Sequence, residues 1–262
     1  MYSYILKVNS RESNYKSYTT NPIQVSYNNM SNSSLINRIT IKGASIPNVF
    51  YNIRAGNNNL TFSRNNVLQS LNFPEGNYTV ASFITFFNAS NAAIVSQLTL
   101  SFNTRLNKIE ATSLIHPTTF IGIPINNYVS TCFNIIGLRT GENFVADSTF
   151  GAVPFLFMSD FSGIRNIYAE TTFNSMSYLD STGHKSYAGI IPCDQPFGSI
   201  IHYTNDSNDM NNLYRNNLYS QNMSKIEIAL LDVEGNLLNL QNMNWEISFQ
   251  VTLSHEHDLQ DE

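Results

Sequence analysis

Two histidines near the C-terminus have a spacing that could hold a metal ion. His255 and His257 flank Glu256 in the tail that follows the last predicted strand. Imidazole and carboxylate groups are common zinc ligands, but this tail offers no preorganised third ligand. A metal-binding cupin barrel would need His-x-His, a Glu a few residues later and flanking glycines, and that pattern is absent. We therefore predict a solvated acidic tail over 255–262, with no metal-ligating or cofactor-binding residue.

The two cysteines are candidate nucleophiles, or the two halves of one disulfide. Cys132 precedes Phe133 within an apolar segment, and Cys193 follows Ile190-Ile191-Pro192. A thiol with apolar sequence neighbours is far more often a buried core residue than a reactive one. We favour two buried thiols in a reducing compartment, although a single bridge between them remains compatible with the sequence.

Carboxylates beside predicted loops could in principle serve glycoside hydrolysis, which uses a pair of acids. With 19 acidic residues in the chain, however, spacing alone cannot select a pair. The run Asp206-x-Asn208-Asp209 resembles part of a calcium loop but lacks its Gly and closing Glu. Neither a Gly-x-Ser-x-Gly elbow nor a phosphate-binding Gly-rich loop occurs. We predict no catalytic residue and no enzyme, having considered Asp147, Asp160, Glu170, Asp180, Asp194, Asp206 and Asp209.

Charge and hydropathy disfavour a nucleic-acid partner and a membrane-spanning segment. The net charge is −5 and the basic residues are scattered, so no basic stripe marks a nucleic-acid groove. No run approaches the ~18 apolar residues of a membrane span. Charged residues make up only 13% of the chain, and neutral Asn, Ser and Thr supply its polarity. Such low charge suits surfaces that become buried against other subunits.

The elements that must carry these residues are mostly strands. Between Trp245 and Leu253 every second residue is large and apolar, which predicts a strand with one buried face. The segment 225–231 alternates in the same way, and a turn at 232–236 joins the two, so we predict a C-terminal hairpin. Further strands are predicted at 22–27, at 35–50 with a bulge at Gly43, and at 153–158.

Helical signals are few. Val80, Phe83, Ile84 and Phe87 follow helical spacing, with Thr79 as N-cap, and a short second helix is predicted to end at Gly137. No alternation of strand and helix occurs, so the fold class is all-β: an antiparallel sandwich or jelly roll with one or two short helices in loops. We predict an N-terminal arm at 1–20 and one domain at 21–254.

The order of several short motifs resembles one known family. The chain runs from PIQVSY (22–27) through SIPNVFYNI (45–53), FPEGNYTVASFITFFNAS (73–90), FNIIGL (133–138) and IPCDQPFGSIIHY (191–203) to NWEISFQV (244–251). This order is similar to that of the minor capsid, or penton, proteins of virophages and Polinton-like viruses. These proteins are related in arrangement to the adenovirus penton base.

The resemblance implies a single jelly-roll β-sandwich and a structural virion protein made in the host cytoplasm. Residues 140–190 match the family's order least well, so an insertion or variable loop region is expected there. The resemblance also implies a homopentamer at each fivefold vertex, among major capsid proteins with double jelly rolls and possible inner or cement proteins, with no cofactor. Two alternatives stay open. One is a carbohydrate- or receptor-binding sandwich that stacks sugars on Tyr178, Tyr187 and Tyr203. The other is an enzyme on a jelly roll that uses the loop carboxylates.

Overall fold

Antiparallel strands are the main elements of the computed structural model, which describes residues 2–12, 22–26, 35–92, 98–114, 116–125, 130–147, 149, 151–171, 176–180, 183–205 and 225–254. The helices are α1 (Val80–Ala92) and α2 (Phe133–Ile136). The strands, numbered along the chain, are β1 Tyr2–Asn9, β2 Ile23–Ser26, β3 Leu35–Pro47, β4 Asn59–Arg64, β5 Val67–Asn72, β6 Leu98–Asn103, β7 Lys108–Ser113, β8 Thr118–Phe120, β9 Phe144–Ala146, β10 Ala152–Pro154, β11 Asn166–Thr171, β12 Met176–Asp180, β13 Gly183–Tyr187, β14 Gly189–Pro192, β15 Ile200–Thr204, β16 Lys225–Leu231 and β17 Glu246–Ser254.

The chain folds into two compact units, one of which interrupts the other in sequence. The first unit consists of Met1–Phe50 and Ile164–Glu262, and the inserted unit consists of Tyr51–Gly163. We predict one domain over 21–254, and the resemblance implies an insertion or variable loop region over 140–190. The structure divides the chain elsewhere: residues 140–163 belong to the inserted unit, whereas 164–190 contain strands of the first unit.

Eight strands of the first unit form two four-stranded sheets. The strand order is β1-β17-β3-β15 in one sheet and β14-β11-β16-β2 in the other. In chain order these eight strands pair from the outside inward: β1 with β17, β2 with β16, β3 with β15 and β11 with β14. This nested antiparallel pairing is that of one long ribbon rolled into a sandwich. The predicted jelly roll is therefore confirmed.

The N-terminal residues contribute an edge strand to this sandwich. All eight residues of β1 pair with β17, from Tyr2 opposite Leu253 to Asn9 opposite Glu246. Leu6 and Val8 are buried in the same core as β17. The predicted arm over 1–20 therefore does not hold for residues 2–9, because they form a paired strand and Leu6 and Val8 belong to the core. Residues 13–21, like the predicted tail at 255–262, lie outside the described residues.

The predicted C-terminal hairpin is wrong, although its two strands are correct. β16 pairs with β11 and β2, whereas β17 pairs with β1 and β3 in the other sheet. The connection from 232 to 245 therefore crosses between the two sheets. A Gly-centred turn follows β16 as expected, with Gly235 at φ +87°. The turn redirects the chain across the sandwich, and does not fold β17 back onto β16.

The core of the first unit lies between the two sheets and contains the predicted face of β17. Trp245, Ile247, Phe249 and Val251 are all buried there, so this expectation is confirmed. Leu253 lies in the strand, and the burial of its side chain stays a prediction. The predicted bulge at Gly43 is present, because the pairing of β17 with β3 passes from Ser248–Gly43 to Phe249–Ile41.

The inserted unit has its own core, which is rich in phenylalanine. Two sheets, with strand orders β5-β4-β8-β9 and β10-β7-β6, pack with α1 and α2 around it. As predicted, Thr79 caps α1: its hydroxyl oxygen accepts a hydrogen bond from the Ser82 amide at 3.1 Å. Gly137 ends α2 at φ +90°, also as predicted. The fully buried aromatic side chains are Phe62, Phe73, Phe83, Phe87, Phe120, Phe133 and Phe155.

Within the part of the chain that the structure describes, neither helix has the length and apolar character needed to cross a bilayer.

Candidate functional site

The two cysteines lie in different units, and neither is placed for nucleophilic chemistry. Cys132 is buried in the core of the inserted unit, where burial raises the pKa of its thiol to about 12. Cys193 is partly buried against the core of the first unit. Its pKa is raised to about 11, first by burial and then by the charge of Asp194. Both thiols are free, and these pKa shifts suppress the thiolate that a nucleophile requires.

Two of the loop carboxylates accept hydrogen bonds from backbone amides of their own turns. Asp147 accepts a hydrogen bond from the Thr149 amide at 2.9 Å, which holds the pKa of its exposed carboxyl below the ordinary value. Asp160 accepts the Ser162 amide at 3.1 Å in the same kind of Asx turn. Glu170 and Asp194 are exposed on the first unit, and Asp180 ends β12. Two of the acids considered as catalytic candidates, Asp147 and Asp160, therefore stabilise local turns. Asp206, Asn208 and Asp209 lie outside the described residues.

Histidines give no metal site in the described part of the chain. His116 and His202 are exposed, and no three His, Cys, Asp or Glu residues lie together among the residues described. His255, Glu256 and His257 lie outside that part.

The tyrosines expected to stack sugars are in part core residues. Tyr187 is buried and its ring lies 4.9 Å from that of Tyr168, in a small cluster with Leu231. Tyr203 is half-buried and packs against the core of the first unit. The expectation that these two side chains are exposed is therefore wrong, because each covers apolar surface of its own unit. The side chain of Tyr178 is not among those described.

An apolar patch on the inserted unit is the surface best arranged to meet a partner. It consists of three consecutive exposed residues, Leu156, Phe157 and Met158, together with exposed Leu106. The segment that follows Leu106 lies beside residues 156–158, since the Asn107 side-chain nitrogen lies 3.3 Å from the Met158 sulfur and the Lys108 ammonium donates to the Leu156 carbonyl oxygen at 2.7 Å. Contiguous exposed apolar surface of this kind marks interaction sites.

The backbone under this 156–158 patch is fixed. The Phe157 amide donates to the Gly137 carbonyl oxygen at 2.9 Å, and the Asp160 amide donates to the Ile135 carbonyl oxygen at 2.7 Å. A Cβ atom at Gly137 would lie 2.3 Å from the Phe157 carbonyl oxygen, so glycine permits this close approach. The side chains of the patch therefore face solvent from a segment that is already ordered.

A second organised surface is the turn from Val233 to Leu237 in the first unit. Buried Asp232 holds this 233–237 turn, because its carboxylate accepts the Asn236 amide at 2.8 Å and its carbonyl oxygen accepts the Gly235 amide at 3.1 Å. Val233 and Leu237 are both exposed, with Glu234 between them. The turn thus presents two apolar side chains and one acidic side chain in a fixed conformation.

A third ordered surface is the loop that precedes β15. The Asn48 side-chain nitrogen donates to the Gln195 carbonyl oxygen at 2.6 Å, and the Gly198 amide donates to the Asn48 carbonyl oxygen at 2.7 Å. Phe197 is exposed on this loop, and Ile200 is exposed at the start of β15. It lies within the motif IPCDQPFGSIIHY, so that motif encodes a loop braced by one buried asparagine.

The sequence predicts a strand over 153–158, in which alternate side chains would be buried, and therefore does not predict the exposed patch. The structure ends β10 at Pro154, and the chain turns its next apolar residues outward after buried Phe155. The signal available in the sequence is the unbroken apolar run Val153–Met158, which follows neither a period of two nor one of 3.6.

No protein-family model matches the sequence, and no curated protein sequence matches it. The crystal structure of the mavirus penton protein, in contrast, superposes with a TM-score of 0.55 at 12% identity, covering 97% of this chain and 100% of that protein. The chain has the fold of a penton protein. A chain of the Sputnik virophage structure determined by cryo-EM superposes with a TM-score of 0.47 at 9% identity, covering 99% of each chain.

The penton-protein fold confirms the resemblance that the order of the motifs indicates, as a likeness of fold. The match extends over both units, so the inserted unit is included in the alignment along with the jelly roll.

Proposed function

We propose that this chain is a structural capsid protein, a penton or minor capsid subunit that forms a homopentamer at the fivefold vertices of an icosahedral particle. The observation that carries the proposal is the penton-protein fold over nearly the whole length of both chains. The four nested strand pairs of the first unit support it, because they define a jelly roll from the chain's own hydrogen bonding.

The surfaces of the chain also support an assembling protein. In a ring, each subunit contacts its neighbours through two different surfaces. The described residues offer ordered, exposed apolar groups on both units: the 156–158 patch on the inserted unit, and the 233–237 turn and Phe197 on the first unit. A charged fraction of 13% lowers the cost of burying such surfaces.

We propose the virion as its location and a double jelly-roll major capsid protein as its neighbour, with inner or cement proteins as further contacts. A carbohydrate-binding role has less support, since Tyr187 and Tyr203 pack against their own unit. A catalytic role has less support as well, since the candidate acids Asp147 and Asp160 accept hydrogen bonds within local turns.

The test is the position of the protein in purified particles. An antibody fragment raised against the inserted unit should label particle vertices in electron micrographs, and particles stripped of vertices should lose the protein. Uniform labelling over the facets, or particles that lack the protein, would remove the proposal.

A further inference from the structure

We propose that the inserted unit opens and closes as a cooperative unit of its own, with Asn52 as its latch, while the jelly roll of the first unit stays folded. Proteins open in contiguous cooperative blocks of this kind where their contacts separate into such blocks. Separate cores, self-contained sheets and closely spaced ends carry the inference. It goes beyond the proposed function, because it concerns the folding of the chain itself.

Each unit has a hydrophobic core of its own. The buried core residues of the inserted unit all lie between Ile53 and Phe155. Those of the jelly roll all lie within 6–50 or 167–251. Because burial of apolar side chains is the main favourable contribution to folding, each unit has its own source of stability.

The backbone pairing divides at the same places along the chain. The sheets β5-β4-β8-β9 and β10-β7-β6 take every strand from the inserted unit, and the two four-stranded sheets of the jelly roll take every strand from the first unit. Unfolding of one pair of sheets therefore leaves the hydrogen bonds within the other pair intact. Residues 51–163 are also within the usual size range of a single domain, roughly 50–200 residues.

The two ends of the inserted unit meet, and Asn52 joins them. Its side-chain nitrogen donates to the Phe161 carbonyl oxygen at 2.8 Å, and a Cβ atom added at Gly163 would lie 3.4 Å from the Asn52 Cβ. The unit therefore begins and ends at nearly one point. An unfolded segment with such closely spaced ends costs little more entropy when it is longer, so opening need not displace the strands of the jelly roll.

Asn52 acts as the latch because one amide group holds three segments together. Besides Phe161, it holds the backbone amide and carbonyl oxygen of Tyr78, which precedes α1. Asn52 is buried, so its removal leaves three backbone groups without this partner inside the unit. Loss of this side chain should therefore favour opening of the inserted unit without changing any residue in the core of the jelly roll.

The chain carries one natural probe in each core. Trp245 is its only tryptophan and is buried in the core of the jelly roll, so tryptophan fluorescence reports on the first unit. Cys132 is fully buried in the core of the inserted unit, so a thiol reagent reaches it when that unit opens. Peptide mass spectrometry distinguishes its labelling from that of Cys193, the free thiol of the first unit.

The experiment labels the full-length protein with N-ethylmaleimide over a urea series while Trp245 fluorescence is followed. Asn52→Ala should raise the labelling rate of Cys132 in dilute urea about 30-fold or more, and should leave the urea midpoint of Trp245 unchanged. Phe249→Ala should do the reverse. It should lower the Trp245 midpoint and leave the labelling rate of Cys132 within about twofold of the wild type.

Exposed positions supply a matched control for each unit. Asn77→Ala in the inserted unit and Ile5→Ala in the first unit should leave both probes near their wild-type values. If Asn52→Ala prevents the inserted unit from folding, Cys132 should label at the rate of an unstructured peptide while the Trp245 transition persists, which also supports the inference.

Two results would overturn this inference. One is that both probes respond together to each core variant, which would mean that the two units unfold as one. The other is unchanged labelling of Cys132 in Asn52→Ala, which would remove the role of the latch. Neither result alters the expected position of the protein at particle vertices, so failure of this inference is distinguishable from failure of the proposed function.

Discussion

The side-chain nitrogen of Asn52 donates a hydrogen bond to the carbonyl oxygen of Phe161, 2.8 Å away, and so ties together the two ends of the inserted unit. The same amide group also holds Tyr78: its nitrogen donates to the Tyr78 carbonyl oxygen at 2.7 Å, and its oxygen accepts the Tyr78 amide at 2.8 Å. Asn52 is buried. One side chain therefore satisfies three backbone groups from segments that are distant in sequence.

Replacing Asn52 should destabilise the inserted unit. Asn52→Ala leaves these three backbone groups without the side-chain partner, and we expect the free energy of unfolding to fall by about 2–4 kcal/mol. Urea unfolding followed by tyrosine and tryptophan fluorescence measures the change. Asn77→Ala, at an exposed position, should stay within about 0.5 kcal/mol of the wild type. Equal stability of the two variants would contradict the bracing role of Asn52.

The face of β17 should dominate the stability of the first unit. Phe249 is fully buried between the sheets, so Phe249→Ala should cost about 3–5 kcal/mol through lost burial and a residual cavity. Ile5→Ala, in the neighbouring strand but 54% exposed, should cost less than about 1 kcal/mol. Chemical denaturation measures both, and wild-type stability of Phe249→Ala would remove this strand from the core.

Local patterns in the sequence were sufficient to identify many of the elements. The period of two from Trp245 onward predicts β17 and its buried face, helical spacing after Thr79 predicts α1, and Gly137 predicts the end of α2. In each case neighbouring residues determine the conformation, through alternation, capping or a positive φ. The resemblance drawn from motif order anticipates the fold as well.

Pairing between distant strands is what the local patterns miss. The turn after Leu231 is compatible with a hairpin, yet β16 and β17 join different sheets because their partners, β2 and β1, come from the start of the chain. The sequence does not reveal where the inserted unit begins and ends, because these limits also depend on contacts between residues distant in sequence. No change of composition marks residue 51, and the brace from Asn52 to Phe161 joins residues 109 positions apart.

A side chain at Gly137 should disturb the 156–158 patch. Gly137 has φ +90°, and an added Cβ would lie 2.3 Å from the Phe157 carbonyl oxygen. Gly137→Ala therefore combines a strained backbone with a clash, and we expect a loss of about 3 kcal/mol or more in the free energy of unfolding. Thermal and urea unfolding measure it.

Gly141 provides the matched control for Gly137. It has a similar φ of +86°, but nothing lies within 4 Å of an added Cβ. Gly141→Ala should therefore cost only the backbone strain, about 1–2 kcal/mol. Equal losses for the two variants would mean that the segment at Phe157 moves freely away from α2.

Burial of Cys132 should make stability depend on alkaline pH. Its pKa is raised from 9.0 to about 12 in the folded protein, since burial disfavours the thiolate. The unfolded chain ionises first, so this contribution is complete below pH 9 and is lost progressively between pH 9 and about 12. Unfolding free energies should fall more steeply over this range for the wild type than for Cys132→Ala, by up to about 1 kcal/mol per pH unit. Parallel pH profiles would contradict the burial of this thiol.

The mass of the purified assembly tests the central claim most directly. Native mass spectrometry of the full-length protein should give a closed species of five times the 29.5 kDa chain, together with free monomer on dilution. A wild-type protein that remains monomeric at every concentration, or that forms a closed ring with a different number of subunits, would contradict the account.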